Sequence, residues 1–471
     1  MALVDFSEQL ERADSVLDLA RLLGVHCLAS GAELREMKHK PRTHEELTAI
    51  EILAGRASLA TWEAVVEDPA RLETHLGAQL VEAVRKAKTR QPLDFLGVLC
   101  GLCAGPLEEL FRTTAPRVEL TKGMPVPFAD RPPPDALGGE PTTMQDTIND
   151  CELLAPLPFE LYSHIAEEEH RVILDFTHAE RLDALTWEEE RKLPLIATVH
   201  PAGGGEFHDI DVSGTPGRFF GPRLKRWDPE AITSLLKQAR AEGARLAILP
   251  ELSLPKPDAL EAELAGNHAA YPPIVVAGSA HHKIKGAGQS GDIRANESRL
   301  YLEGERVAIA RKHHRYKTRR LGEQRFDDHV WEDLTAEQKT ITVLSGHRTR
   351  LGVAICADLL EKAIPRLLVD AGVNLLLAPA MTPKIGSFNL PLVSIACSRQ
   401  GIGVIANTRW GEDGEPFLCM CAAPFADPAR QSQALTGDGN NPAPQLAIFD
   451  PNRPLPEAVS WPGRAVAQEG S

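Results

Sequence analysis

The chain has 471 residues, 43% of them hydrophobic and 25% charged, which is the composition of an ordinary globular protein of two or three domains. Its net charge of −15 argues against general nucleic-acid binding. No run approaches the roughly 18 to 20 apolar residues of a membrane helix, and the first residues lack the pattern of a secretory signal. We therefore expect a cytoplasmic protein with no membrane contact.

The cysteines predict free thiols. Eight cysteines in 471 residues are too sparse for a disulfide scaffold. The closely spaced pairs Cys100–Cys103 and Cys419–Cys421 both lie in apolar segments, where cysteine behaves as a small hydrophobic residue. Core packing is therefore the preferred interpretation of both pairs, ahead of a metal or redox site.

Residues 1–115 have the periodicity of helices, with an apolar stripe that includes Leu10, Val16 and Leu17. Thr43 and Glu46 form a capping box before another helical segment. Nothing in this region assembles a catalytic set, so we predict an all-helical domain that binds a protein partner, covers the active site or mediates self-association. Residues 116–192 follow as a Pro-rich linker and a connecting segment without an assigned structure.

From residue 193 to about 450 the sequence alternates between strands and helices. Asp228, Pro229 and Gly243 are the expected N-cap, first-turn residue and C-terminal residue of one strong helix. The alternation predicts an α/β layered fold whose strands are buried on both faces. Residues 451–471 are a tail. The expected strands are LPLIATVHP, LAILPE, IVVAGSA, SRLYLEG, RVAIARK, TITVLS, LGVAICA, VNLLLAPA and GIGVIANT.

Two further patterns, a GxGxxG match and two histidine pairs, are weak evidence for a nucleotide site or a metal site. Residues 286–291 fit GxGxxG, but the preceding strand and following helix of a dinucleotide site are missing, so we interpret them as a loop. The pairs His281–His282 and His313–His314 could suggest a metal. Adjacent strand residues point to opposite faces, and further ligands at metal spacing are lacking. We therefore predict no metal and no cofactor.

Three apolar runs each end near a reactive side chain. LAILPE ends in Glu251, the run through VAIARK ends in Lys312, and LGVAIC ends in Cys356. Ligand sites of α/β sheets lie beyond the carboxyl ends of strands. Each residue alone has an ordinary structural explanation, but together they predict one catalytic site.

These motifs make residues 193–450 resemble the carbon–nitrogen hydrolase family of nitrilases and amidases. Glu251 closes a strand-end PE, Lys312 lies in an RK-x-H segment, and Cys356 follows GxxI and precedes Ala357 and Asp358. Asn296 and Asn407 echo further family positions. The resemblance implies a nitrilase-like α-β-β-α sandwich, here preceded by the N-terminal all-helical domain, and suggests a homo-oligomer.

The resemblance also implies a mechanism. Glu251 is the expected general base, Cys356 the nucleophile, and Lys312 with the backbone N–H of Ala357 the stabiliser of the tetrahedral species. A second family glutamate is matched to Glu323, for which a surface salt bridge is the alternative. The expected function is hydrolysis of a non-peptide carbon–nitrogen bond in a small molecule. An acyltransferase using the same thioester and a non-catalytic binding or signalling module are the alternatives.

A basic run directly follows the expected catalytic lysine. Residues 311–320 read RKHHRYKTRR. One interpretation is a solvated loop balanced by the acidic residues after it, including Glu323, Glu332 and Asp333. The other is a cationic loop at the mouth of the site that attracts an anionic substrate. The second interpretation makes His314, Arg319 and Arg320 candidate substrate-binding residues, together with Asn296 and Asn407.

Overall fold

A computed structural model gives the structure of the chain. It describes residues 20–23, 25, 116–122, 124–127, 159–161, 170–187, 193–201, 207–208, 217–224, 228–254, 256–285, 292–321, 324–334, 339–382, 384–399, 401–408, 417–423, 432–436, 444–453 and 459–460. The predicted N-terminal helical domain therefore lies outside the described residues, except for residues 20–23 and 25, which are helical. The GxGxxG segment, Glu323, and Cys100 with Cys103 also lie outside them.

The described residues fall into two compact units. The smaller unit contains two antiparallel strand pairs within the segment that the sequence leaves as linker and connection, β1 with β4 and β2 with β3. In this unit the buried carboxylate of Asp175 accepts hydrogen bonds from Arg117 Nε at 2.8 Å and from the Thr177 N–H at 3.0 Å. Its strands are β1 (Arg117–Glu119), β2 (Pro125–Pro127), β3 (Phe159–Leu161) and β4 (Arg171–Asp175).

The larger unit holds the remaining strands. They are β5 (Ile196–His200), β6 (Phe207–His208), β7 (Arg218–Phe219), β8 (Arg223–Leu224), β9 (Leu246–Ile248), β10 (Ile274–Val276), β11 (Ala280–Lys285), β12 (Asp292–Leu302), β13 (Glu305–Arg311), β14 (Lys317–Leu321), β15 (Gln324–Glu332), β16 (Thr340–Ser345), β17 (Arg350–Val353), β18 (Leu375–Ala380), β19 (Ile402–Asn407), β20 (Phe417–Ala422), β21 (Ser432–Thr436), β22 (Gln445–Phe449) and β23 (Val459–Ser460). The α-helices described from residue 170 onward are α1 (Ala179–Thr186), α2 (Pro229–Ala241), α3 (Pro257–Gly266), α4 (Ala363–Asp370) and α5 (Asn389–Arg399).

Two mixed sheets form the body of the larger unit. One runs β11–β12–β10–β9–β5–β22–β23, with β13 added on β12. The other contains the run β16–β17–β18–β19–β20–β21. The central strands are parallel: β9 lies between β5 and β10, and β18 lies between β17 and β19. Their buried apolar runs are what a sheet covered on both faces requires.

The core lies in layers, as the sequence predicts. Side chains from both sheets meet in one apolar cluster that includes Ile248, Leu377 and Val404. Cys419 and Cys421 belong to the same cluster, so the prediction that this pair packs in the core is confirmed. On the outer face of the first sheet, α2 and α3 add a second cluster. Helix α5 contacts β19 and β20 of the other sheet, which completes an α-β-β-α arrangement.

Local sequence signals account for α2. The Asp228 carboxylate accepts hydrogen bonds from the N–H groups of Glu230 at 3.0 Å and Ala231 at 3.1 Å, so it caps the helix as predicted. Pro229 occupies the first turn, and Gly243 adopts a φ of 87° just after the helix. No described helix is long and apolar enough to span a membrane.

Candidate active site

Glu251 is held just beyond the end of β9. Its backbone N–H donates to the Ala380 carbonyl at 3.2 Å, and the Thr408 hydroxyl donates to its carbonyl at 2.9 Å. The next residue, Leu252, has a φ of 56°, in the left-handed region that non-glycine residues rarely adopt. The sharp turn and the two contacts with the other sheet fix a fully buried carboxylate between the sheets.

Lys312 follows β13 and points at that carboxylate. Its backbone N–H donates to the Asn296 carbonyl at 2.9 Å. Its ammonium donates to Glu251 Oε1 at 2.6 Å and to Glu332 Oε2 at 2.6 Å, and all three side chains are 1% exposed. The buried cation is therefore clamped between two carboxylates.

Cys356 begins a 3-10 turn after β17 and has a φ of 49°. A non-glycine residue in this conformation is strained, and such strain is frequent at functional sites. The thiol is buried and lies 3.6 Å from the Met381 carbonyl oxygen, to which it donates. The turn therefore presents the sulfur at the strand end in one orientation.

Asp358 ties the cysteine turn to the lysine segment. One of its oxygens accepts the backbone N–H groups of His313 at 2.9 Å and His314 at 2.7 Å. The other accepts the Ile355 N–H at 3.2 Å. A buried carboxylate thus fixes the spacing between the residues that carry Lys312 and Cys356.

Glu332 is surrounded by donors. Asn296 Nδ2 at 2.8 Å and His281 Nε2 at 2.8 Å bind its Oε1, while Lys312 and the Tyr316 N–H at 3.1 Å bind its Oε2. Asn296 also donates to Glu251 Oε1 at 2.9 Å and so bridges the two carboxylates. By contrast, Glu251 Oε2 has no hydrogen-bond partner among the described residues.

Burial and charge set the protonation states. Burial raises the pKa of Glu251, the charge of Glu332 acts in the same direction, and Lys312 opposes both. Burial also raises the pKa of the Cys356 thiol well above its ordinary value, reinforced by the charge of Glu251 and opposed by that of Lys312. The Cys356 side chain at rest is therefore a thiol, beside a Glu251 carboxylate whose affinity for a proton is increased.

The other carboxylate and the lysine behave differently. Burial acts to lower the pKa of Lys312, but the facing Glu251 and Glu332 outweigh it and raise this pKa well above its ordinary value. Burial acts to raise the pKa of Glu332, but Lys312 and His281 outweigh it and the pKa is lowered. The shifts thus favour the charged forms of Lys312 and Glu332 and disfavour the charged form of Glu251.

The remaining predicted residues occupy different places. Ala357 lies buried in the turn beside Cys356. The Asn407 side chain accepts the Thr382 N–H at 2.8 Å and donates to the Thr382 carbonyl at 3.0 Å, so its amide holds the chain after β18. The amide nitrogen of Asn296 likewise donates to the two glutamates, while its Oδ1 has no hydrogen-bond partner among the described residues. Asn407 thus uses both of its side-chain polar atoms within the protein, whereas Asn296 uses only its nitrogen.

The basic run spans three parts of the structure: Arg311 ends β13, residues 312–316 connect the strands, and residues 317–320 lie in β14 of the hairpin β14–β15. Arg311 Nε pairs with Glu297 at 2.7 Å, and Arg315 donates to the Leu334 carbonyl at 2.7 Å. His314 is part-exposed, with its Nδ1 3.3 Å from Glu361. Arg319 is exposed on β14, where its Nε lies 3.3 Å from His329 Nδ1, and the Arg320 side chain lies outside the described residues.

Three residues of the cluster are absent from the predicted site: Glu332, His281 and Asp358. The interpretation of Glu332 and Asp333 as surface charges that balance the basic run is wrong, because both are buried. The alternation of β15 was the available signal, since it turns Trp331 outward and Glu332 inward. Within the described residues, no group of three or more His, Cys, Asp or Glu side chains could hold a metal ion.

A match to a known protein family covers the part of the chain that carries this site. Residues 224–405 match the family model for carbon–nitrogen hydrolase. This stretch of the chain contains Glu251, Lys312 and Cys356. The family resemblance predicted from the sequence is therefore confirmed over these residues. A search of curated proteins gives no significant match.

Similar solved structures include several of an amidase from Nesterenkonia. A cysteine-to-alanine variant of the enzyme from Nesterenkonia AN1, described as a member of the nitrilase superfamily, is 17% identical with a TM-score of 0.36, and the match covers 55% of this chain and 90% of that chain. Another variant, with the acetamide moiety of fluoroacetamide added covalently at the active-site cysteine, is 18% identical with a TM-score of 0.37, over 55% and 90% of the two chains.

Proposed function

We propose that the carbon–nitrogen hydrolase region of this chain cleaves a non-peptide amide, nitrile or carbamoyl bond through a thioester on Cys356. The observation that carries the proposal is the buried Lys312 ammonium, held 2.6 Å from Glu251 and 2.6 Å from Glu332, whose charge acts on the Cys356 thiol. A salt bridge buried for stability alone is a weak explanation, because removing two carboxylates and an ammonium from water is costly.

The two oxygens of Glu251 support separate tasks. Oε1 holds Lys312 and Asn296, which leaves Oε2 to accept the thiol proton. Because the Cys356 pKa is raised, a standing thiolate is disfavoured, so the proton moves to Glu251 as the sulfur attacks the carbonyl carbon. Lys312 and the Ala357 N–H stabilise the negative oxygen of the tetrahedral species.

The second half of the reaction reverses the proton path. For an amide or carbamoyl substrate, Glu251 returns the proton to the leaving nitrogen, the carbon–nitrogen bond breaks, and a thioester remains on Cys356; a nitrile gives a thioimidate, which must add one water before ammonia leaves and the thioester remains. Water then attacks the thioester and gives a proton to Glu251, which passes it to the departing sulfur. The thiol and the Glu251 carboxylate are restored, and Lys312 stays protonated between its two partners throughout.

Ammonia release from a panel of simple amides, nitriles and carbamoyl compounds tests the proposal. Cys356→Ala should abolish release, and Glu251→Gln should nearly abolish it, while both proteins stay folded. Cys419→Ala is the matched control, since it removes an equally buried thiol from the core and should keep activity. Activity that survives Cys356→Ala would contradict the thioester.

We further propose that the substrate carries negative charge. Support comes from the exposed cation Arg319 on β14, beside the strand that carries Glu332, and from the neighbouring Arg320 in the sequence. The kcat/KM of an identified substrate should fall with added salt, and less so when both arginines are changed to Gln. A neutral substrate preferred over its anionic analogue, with no salt effect, would contradict this proposal.

A further inference from the structure

His281 is a buried histidine on β11 whose two ring nitrogens have different partners. Nδ1 lies 2.8 Å from the Gly221 backbone nitrogen, and Nε2 lies 2.8 Å from Glu332 Oε1. A backbone N–H can only donate, so Nδ1 must be the acceptor. The hydrogen of the neutral ring therefore sits on Nε2 and is donated to Glu332.

The ring is also held from the side by aromatic residues. Phe220 stacks on it with ring centroids 4.6 Å apart and an interplanar angle of 17°, and Phe219 lies at 6.3 Å. Since Phe220 precedes Gly221, one short segment both packs on the ring and fixes its tautomer. His281 therefore has little freedom to rotate away from Glu332.

The same segment binds the strand on either side of Glu332. The Trp331 N–H donates to the Gly217 carbonyl at 2.8 Å, and the Asp333 N–H donates to the Phe219 carbonyl at 2.9 Å. β7 and β15 are thus paired in parallel around Glu332. The backbone of Glu332 is placed by this pairing, while its carboxylate is oriented by side chains.

The orientation of that carboxylate decides where the lysine sits. His281 and Asn296 both bind Oε1, so Oε2 is left for Lys312 and the Tyr316 N–H. Loss of His281 would leave Oε1 with one donor and free the carboxylate to rotate. Lys312 would then lose one of the two anchors that hold its ammonium beside Glu251 and Cys356.

We infer that His281 is a positioning residue that orients Glu332 and, through it, Lys312, without touching the substrate. The inference rests on the proposed function, because it assigns His281 a task in the same site. It also gives the segment 217–222 a role, since Gly221 and Phe220 hold His281 in its donating tautomer.

Two substitutions separate the roles of the two nitrogens. His281→Gln places an amide N–H near the position of Nε2 and keeps a donor for Glu332, whereas His281→Asn keeps an acceptor near Nδ1 for Gly221 but loses that donor. The readout is the rate at which iodoacetamide alkylates Cys356 in the full chain, with folding checked by urea denaturation. We expect His281→Asn to slow alkylation by about 10- to 100-fold, the range for losing a hydrogen bond to a buried charge, and His281→Gln to retain most of the rate.

A double substitution then tests the path through Glu332. His281→Asn combined with Glu332→Gln should be no slower than Glu332→Gln alone, because both changes remove the same interaction. Equal losses in the Asn and Gln variants, or full additivity with Glu332→Gln, would overturn the inference. If both variants fail to fold, ¹⁵N NMR of the histidines in the unmodified chain decides: hydrogen on Nε2 of His281 supports it, and hydrogen on Nδ1 overturns it.

These outcomes are independent of the wider proposal. Turnover that survives Cys356→Ala defeats the proposed function whatever His281 does. Indistinguishable Asn and Gln variants defeat the positioning role while Cys356 remains the nucleophile.

Discussion

Replacing Glu332 with Gln tests how the buried charges are balanced. The wild-type carboxylate accepts four hydrogen bonds, two on each oxygen, and one comes from the Lys312 ammonium. Gln keeps the shape but has one oxygen and one NH₂ group. If its oxygen faces Lys312 and Tyr316, the NH₂ group opposes the donors of His281 and Asn296; in the other orientation it opposes the ammonium. Either way two hydrogen bonds are replaced by donor–donor contacts.

The magnitude follows from burial. Glu332 and Lys312 are each 1% exposed, so water cannot replace the lost contacts. Breaking one side of a buried ion pair costs about 3 to 5 kcal/mol, and we expect Glu332→Gln to lower the free energy of unfolding by that amount. Glu297→Gln is the control, because it removes the same charge next to Asn296 but its partner Arg311 is 34% exposed and can be solvated. Its cost should stay below about 1 kcal/mol.

The same substitution changes the pH dependence of the site. The charge of Glu332 raises the pKa of Glu251, so Glu332→Gln should lower it. The acidic limb of Cys356 alkylation, which would follow ionisation of the proposed general base Glu251, should therefore move to lower pH. Urea denaturation and alkylation rates measured across pH check both effects. An unfolding midpoint equal to that of wild type, with an unmoved acidic limb, would refute the charge balance described for the cluster.

Two further predictions concern the frame of the site. Gly278 has a φ of 61°, and a Cβ at this position would lie 2.4 Å from the Pro250 carbonyl oxygen. Gly278→Ala should therefore destabilise the protein by about 1 to 3 kcal/mol and displace the adjoining Glu251. Gly266→Ala is the control and should not destabilise the protein, because the space around its Cβ is open. Thermal denaturation of both variants measures this, and equal stability would contradict it. Burial lowers the pKa of His313 from 6.5 to about 4. Between pH 6.5 and about 4 the unfolded chain therefore binds more protons than the folded chain, and the free energy of unfolding falls as the pH drops through this range. His313→Gln should reduce that slope by up to about 1.4 kcal/mol per pH unit, and identical slopes in urea titrations would contradict it.

Local signals were sufficient for much of this fold. Asp228, Pro229 and Gly243 bracket α2 through caps and a left-handed terminus that act within a few residues. The placement of Glu251, Lys312 and Cys356 just after β9, β13 and β17 follows equally from apolar runs that end at a reactive residue. The sequence could therefore place each residue at a strand end, but their juxtaposition depends on packing, because β9 and β13 belong to one sheet and β17 to the other.

The missing parts depend on long-range pairing. Glu332 was hidden in an acidic stretch, because its burial requires β15 to pair with β14 and with the distant β7. The sequence predicts that His281 and His282 point to opposite faces of their strand, but it does not show that His281 binds Glu332, 51 residues further along the chain. The last part of the basic run likewise lies in a hairpin strand, where Lys317 lies over the Trp331 ring at 4.8 Å. The alternation of β15 indicates that Glu332 faces inward, but the partners in these contacts have no signature within a short window of sequence.

The most direct test of the account is peptide mapping of all eight cysteines after limited treatment with iodoacetamide. Cys356 is 2% exposed and its thiol pKa is raised, so it has no intrinsic reason to react first. We predict that Cys356 is nevertheless modified ahead of Cys419 and Cys421, and that Glu251→Gln removes this preference without unfolding the protein. Modification of Cys356 at the rate of the core cysteines, or at a rate unaffected by Glu251→Gln, would contradict the central claim that Glu251 activates Cys356.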